Sequence, residues 1–179
     1  MDNAYTEFYE NFPLLIDVQD LRTYFYLHEG TVKAVEEVSF QIREGRSLGV
    51  IGESDCGKSV TAQSPLRIVP TPPGKEVGGK ILLTLKEPST NTSEIINVLD
   101  LPAGGEKIRS IRGKQIGMII KEPMTSLSPQ HTIGDQIMEV VLIHEKDATK
   151  KDARDRTVDM HNRVGIPHLQ RLLDVTIAA

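Results

Sequence analysis

An apolar run, Leu48-Gly49-Val50-Ile51, leads into Gly52-Glu53-Ser54-Asp55-Cys56-Gly57-Lys58-Ser59, and a segment of helical character follows over about 59–68. The middle stretch fits G-x-x-x-x-G-K-[ST], a pattern whose chemistry is the wrapping of an anion. Its glycines let backbone N–H groups converge on a β-phosphate, and the start of the helix adds partial positive charge. Lys58 then reaches the β- and γ-phosphates, and the Ser59 hydroxyl is placed to ligate Mg²⁺. The competing reading is a glycine-rich turn that merely precedes a helix. The buried strand expected on one side and the helix on the other argue against it. Cys56, inside the loop, reads as a passive small residue rather than a reactive thiol, although a helix amino terminus does lower a thiol pKa.

The loop sits in a chain of 179 residues, room for one domain and not for two. Lys and Arg total 21 against 25 for Asp and Glu, and the net charge of -4 argues against a chain that coats nucleic acid. One cysteine excludes an intrachain disulfide or a multi-cysteine metal site and fits a reducing compartment. The acidic, polar start Met1-Asp2-Asn3-Ala4-Tyr5-Thr6-Glu7 lacks the basic and apolar regions of a secretory signal. No apolar run approaches the roughly 18 to 20 residues of a membrane span, so work at a membrane would require something else to hold the chain there.

Before the loop, Leu14-Leu15-Ile16-Asp17-Val18 and Thr23-Tyr24-Phe25-Tyr26-Leu27 read as strands, and Glu29-Gly30 as a turn. Val38, Phe40 and Ile42 alternate with Ser39, Gln41 and Arg43, the pattern of a half-buried strand. Pro65 predicts a kink or early stop in the helix after the loop, because it lacks an N–H and clashes one turn back. The prolines at 70, 72 and 73 and Gly78-Gly79 bracket an expected loop. Strands are expected at 81–85 and 95–99, and a buried one at 116–120. Ile133, Ile137, Val140, Val141 and His144 share one face of an amphipathic helix. A second helix starts at Thr149, supported by Asp152, with Ala153, Thr157, Met160 and Val164 on its inner face and Gly165 and Pro167 ending it. The charges over 145–159 mix both signs and read as a solvated face.

Around the loop the chain resembles the ATP-binding subunits of ABC transporters, in the branch that imports oligopeptides, dipeptides and nickel. The resemblance rests on Leu21-Arg22-Thr23-Tyr24-Phe25, on Thr31-Val32-Lys33-Ala34-Val35-Glu36-Glu37-Val38-Ser39-Phe40, and on the loop itself. It continues in Ile111-Arg112-Gly113-Lys114, Glu122-Pro123-Met124-Thr125-Ser126-Leu127, Ile133-Gly134-Asp135-Gln136 and Val164-Gly165-Ile166-Pro167, covering about 14–173.

The resemblance implies an α/β fold, the P-loop NTPase of the ABC nucleotide-binding type in incomplete form. It implies a lead-in over 1–12 and a partial nucleotide-binding domain over 13–179. That domain comprises an amino-terminal β subdomain, the phosphate loop at 52–59, and a Q-loop-like segment with the start of a helical subdomain at about 121–173. It implies that Gly52, Glu53, Ser54, Asp55, Cys56, Gly57, Lys58, Ser59 and Val60 hold ATP, with Ser59 on Mg²⁺ and Phe25 or Tyr26 stacked on adenine. A core or edge-strand aromatic is the alternative for either ring. The implied partners are a second ABC ATPase subunit, two membrane-spanning permease subunits and, indirectly, a periplasmic solute-binding protein. The implied place is the cytoplasmic face of the cell membrane, and nucleic acid is not an implied partner.

Three departures qualify the expectation. Lys121 stands where the family has a glutamine that contacts Mg²⁺ and the attacking water, and a protonated lysine donates only. Pairing with the γ-phosphate is the contact left to it. Asp55 replaces a glycine of the loop and sets a carboxylate near phosphate oxygens, so binding should weaken. No Asp-Glu pair follows an apolar run, and no Leu-Ser-Gly-Gly-Gln-like stretch occurs, so the acidic and signature motifs needed for hydrolysis are expected to be missing. A truncated, frameshifted or partial coding region is the simplest expectation, with a non-catalytic nucleotide-binding fragment or inert product as the alternative. A GTPase reading of Thr149-Lys150-Lys151-Asp152 competes with a helix cap formed by the same residues, and no Asp-x-x-Gly accompanies it.

Overall fold

The computed structural model describes residues 11–87, 92–121, 127–145, 147–165 and 173–176. The chain divides into two compact units between Arg112 and Gly113. The expected segment from Glu122 to Ser126, which follows Lys121, and the helix-ending Pro167 lie outside the described residues.

The first unit is built on an antiparallel sheet ordered β2-β1-β3-β4, from β1 (Leu14–Leu27), β2 (Gly30–Arg43), β3 (Gly74–Glu87) and β4 (Thr92–Asn97). The two strands expected before residue 28 are one continuous strand, and the expected turn joins it to β2. β2 carries the anticipated alternation, with Val38, Phe40 and Ile42 half-buried and Ser39 and Gln41 exposed. Gly78-Gly79 does not flank a loop. It lies inside β3, where the pairing with β1 shifts register between Gln19 and Arg22. Gly79 takes φ 90, and a Cβ there would lie 2.5 Å from the Gln19 and Asp20 carbonyl oxygens, so the bulge requires glycine. The strand expected at 95–99 starts and ends earlier than read. Asn97 accepts a hydrogen bond from Leu99 N and turns the chain into a 3-10 turn, Val98–Asp100.

Val18, Leu21, Val35, Ile81, Leu83 and Val98 are buried together with Leu66 and Val69 after the loop, and with Ile108 and Ile111 of α2 (Glu106–Ile111). Burying side chains of this size stabilises by about 1.5–3 kcal/mol each. α1 (Lys58–Gln63) ends where Pro65 enters a 3-10 turn, Ser64–Leu66, as the proline predicted. Ser64 is fully buried, donates to Val60 O at 2.9 Å and lies 3.5 Å from the equally buried Thr23 hydroxyl. That contact seats the end of α1 on β1.

Two apolar runs behave otherwise than expected. Residues 48–51 and 117–120 form no strand, and Ile51 is 98% and Ile119 100% exposed. A buried strand needs a backbone neighbour on each side, and no described strand pairs with either run. Apolar content made them strand candidates, but pairing decides burial.

The second unit contains α3 (Ile133–His144) and α4 (Lys150–Arg163). Thr132 caps α3 by accepting from Asp135 N. Leu173 is buried, and Ile133 N donates to Val175 O at 3.0 Å. Of the face predicted for α3, Val140 is exposed while Ile133, Ile137 and Val141 are half-buried. α4 begins in the expected capping box. Asp152 Oδ2 accepts from Thr149 N at 2.8 Å and from its hydroxyl at 2.6 Å, while Asp152 N donates back to Thr149 Oγ1. The inner face of α4 is Ala153, Thr157 and His161, so Met160 and Val164, assigned there by apolarity, are exposed. Spacing by four outweighs polarity, since His161 Nδ1 lies 2.8 Å from Thr157 O and is satisfied within its own helix.

Candidate functional site: an anion-wrapping loop on the edge of the sheet unit

Residues 51–56 are exposed, and the chain enters α1 through Gly57 in the left-handed region at φ 87. The position excludes any other residue for a second reason. A Cβ on Gly57 would lie 2.0 Å from the Ala34 carbonyl oxygen of β2. Strand β2 therefore backs the loop directly, and the loop is set by the sheet unit even though 48–51 forms no strand. Thr61 reinforces the turn, its amide and hydroxyl both donating to Gly57 O at 2.8 and 3.0 Å.

Lys58 folds across the loop. Its Nζ donates to Gly52 O at 2.9 Å, also contacts Glu53 O, and lies 3.3 Å from Cys56 Sγ. Cys56 Sγ in turn sits 2.6 Å from where a Cβ on Gly52 would stand, so Gly52 makes room for that side chain. Among the described residues, none of the amide N–H groups of Glu53, Ser54, Asp55, Cys56 and Gly57 donates a hydrogen bond. Free amide donors in a loop that also holds one ammonium group are groups that a polyanion can take up. The Ser59 hydroxyl is exposed and makes no hydrogen bond among the described residues, which leaves it open to a hard cation. Asp55 holds φ 59, the left-handed conformation that glycine adopts without strain.

The two candidate rings are in the same unit. Phe25 is half-buried opposite Gly74, where a Cβ would lie 3.0 Å from Phe25 Cε1, whereas Tyr26 is half-exposed and its amide donates to Pro73 O at 3.0 Å. Lys121 is exposed and belongs to the second unit. Thr149 and Asp152 are spent on the capping box, which accounts for the residues that suggested a guanine-reading motif. Sequence reasoning gave Ala34 no role of its own. Its part in the site is steric, through a backbone oxygen, and no side-chain pattern announces it.

The G-x-x-x-x-G-K-S loop leading into a helix is the pattern of a P-loop domain, here without the strand that ordinarily precedes it. The family model described as ABC transporter matches residues 35–177, and the chain belongs to that family. It is 40% identical over 161 residues to a probable peptide ABC transporter ATP-binding protein of Sinorhizobium fredii, covering 90% of this chain and 44% of the relative. It is 39% identical over 153 residues to the oligopeptide transport ATP-binding protein OppD of Bacillus subtilis, covering 86% of this chain and 39% of that protein. The chain thus spans less than half the length of these relatives. Among solved structures, the dimeric post-hydrolysis ATP-binding cassette MJ0796 bound to ADP and Pi superposes with a TM-score of 0.70, covering 91% of this chain and 62% of that chain. At 17% identity, that likeness speaks for the fold.

Proposed function

We propose that this chain binds ATP through residues 52–60 and is part of the ATPase subunit of an importer of peptides or related solutes. The observation that carries the reading is the set of free N–H groups from Glu53 to Gly57 gathered with Lys58 on a loop that β2 fixes sterically. The peptide class is supported by the printed functions of the relatives, which are peptide and oligopeptide transport ATP-binding proteins. Ser59 is the residue that would hold Mg²⁺, which supplies charge neutralisation between the phosphates. Phe25 or Tyr26 supplies the adenine platform, and Lys121 occupies the place of the glutamine that in the family contacts Mg²⁺ and the attacking water. The partners are a second ATPase subunit and the permease subunits at the cytoplasmic face of the membrane, with the solute-binding protein acting through the permease. No described helix is long and apolar enough to cross a membrane.

Taken by itself, the 179-residue chain is a binder rather than a catalyst. Its sequence holds no Asp-Glu pair to position Mg²⁺ and water, and Lys121 offers no acceptor to that water. Equilibrium binding of fluorescent ATP with Mg²⁺ tests the reading. Binding lost in Lys58→Ala supports it, and binding that is absent or indifferent to Lys58→Ala sinks it. A phosphate-release assay on the same protein is expected at background. Turnover that depends on Lys58 would overturn the claim of catalytic incompleteness.

A further inference from the structure

We propose that a second pocket of the sheet unit, which shares no residue with the phosphate loop, binds a small dianionic oxyanion on an apolar stem, the chemistry of a phosphate monoester. The cavity has a volume of about 420 Å³ and is lined by Arg67, Lys75 and Glu76 with Val69 and Leu99. That volume lies in the usual small-molecule range of about 300–1,000 Å³.

Its position follows from the chain just after α1. Pro65 ends the helix, and Arg67 takes φ 52 as its amide closes on Ser64 O at 3.0 Å. The Arg67 guanidinium reaches Glu76 on β3 at 2.7 Å, with the two side chains only 16% and 9% exposed. Arg112 is anchored behind this pair. It donates from Nε to Leu66 O at 2.6 Å and from Nη2 to Arg67 O and Ala103 O, both at 2.8 Å. Those three acceptors are neutral carbonyls, and Arg112 makes no ion pair among the described residues. Lys75 makes no ion pair among the described residues.

Arg67 and Lys75 line the pocket with one carboxylate, Glu76, and Arg112 adds a further cation beside Arg67, an excess of positive charge that an oxyanion would offset. Arg67 Nε is buried without a hydrogen-bond partner, so this guanidinium has more donor capacity than the protein uses. The crowding also registers on Arg112, whose protonation is disfavoured first by burial and then by the charges of Arg67 and Arg109. An anion would relieve the second effect. Val69 is buried and Leu99 half-buried, and they give the pocket an apolar wall that a bare inorganic ion would leave without a partner.

The test follows backbone amide signals of the intact chain during titration with inorganic phosphate and with phenyl phosphate. Saturable shifts at Arg67, Val69, Lys75 and Leu99 are expected, with phenyl phosphate tighter by at least about threefold through the apolar wall. Lys75→Glu is expected to weaken both by about tenfold and Lys75→Gln by less, since Lys75 is exposed and its replacement leaves the Arg67–Glu76 pair intact. Lys58→Ala should leave these four signals unchanged. Shifts confined to residues 52–60, shifts insensitive to Lys75→Glu, no saturable shift, or equal affinity for the two probes would each overturn the proposal.

Discussion

The carbonyl oxygen of Ala34 stands 2.0 Å from the position a Cβ on Gly57 would occupy, so strand β2 and the phosphate loop touch backbone to backbone. This contact separates two kinds of residue in the loop. Gly57→Ala must move either the strand or the loop and must also hold a side chain at φ 87. The left-handed conformation alone costs about 1–2 kcal/mol. A fall in Tm of about 4 °C or more is expected, together with loss of ATP binding. Lys58→Ala removes contacts to exposed loop carbonyls and to the exposed Cys56 thiol, and is expected to leave Tm unchanged while binding is lost. Thermal unfolding beside fluorescent-ATP titration checks the contrast, and equal stability of the two variants would contradict it.

Asp55 yields a prediction of opposite sign. Its φ of 59 is open to glycine without strain, and with ATP bound as proposed the exposed carboxylate would oppose phosphate oxygens. At about 4 Å in water such a repulsion is worth roughly 1 kcal/mol, or about fivefold in affinity. Asp55→Gly is expected to tighten ATP binding by about that factor and to make the affinity less dependent on salt. An unchanged dissociation constant across a salt series would show that the carboxylate lies away from the phosphates.

Much of the local geometry of this loop was legible because its residues act locally. Gly57, Lys58 and Pro65 announce a turn, a cation and a helix end through short-range chemistry, and each does so here. Thr149 and Asp152 likewise specify their box within one turn. What was not legible depends on partners distant in sequence. Ile51 and Ile119 are apolar enough for buried strands, yet no described strand pairs with their segments. Gly78-Gly79 looks like a loop until β1 is placed beside it, when the same residues become a bulge. Met160 lost its inward place to His161 because the buried stripe of α4 runs through 153 and 157 at intervals of four, and a polar ring satisfied by Thr157 can be buried there.

The Arg67–Glu76 pair makes a stability prediction. Both side chains are mostly buried, so removing one partner leaves the other charge without compensation. Glu76→Gln is expected to cost about 3 kcal/mol, read as a lower urea midpoint at unchanged slope. Combining Arg67→Met with Glu76→Leu should recover most of that loss, because the desolvation of both charges disappears together. A double variant as unstable as the sum of the singles would show that the pair does not act as a unit.

Asp152 supplies the pH dependence. The Thr149 hydroxyl and then the Thr149 amide hold its carboxyl below the ordinary value of 3.8. A carboxyl depressed in the folded state contributes stability that is full above its unfolded value and is lost as pH falls through the folded one. The start of α4 should therefore be protected from pH 7 down to about 4 and should fray below that. Hydrogen exchange at the Ala153 amide, which donates to Thr149 O at 3.0 Å, reads this directly. Asp152→Asn is expected to exchange faster at neutral pH and to lose the acid transition. A transition that persists in that variant would assign it to another group.

Ile51 and Ile119 test the two segments that form no strand. At 98% and 100% exposure, neither side chain contributes burial energy, so Ile51→Ser and Ile119→Ser are each expected to change stability by no more than about 0.5 kcal/mol. Exposed apolar segments without a pairing partner among the described residues also favour association between chains. Static light scattering of the wild-type chain should rise with concentration, and the double serine variant should show a smaller rise at the same Tm. A marked loss of stability in either single variant would mean that these isoleucines are buried in solution, and that 48–51 and 117–120 find strand partners there.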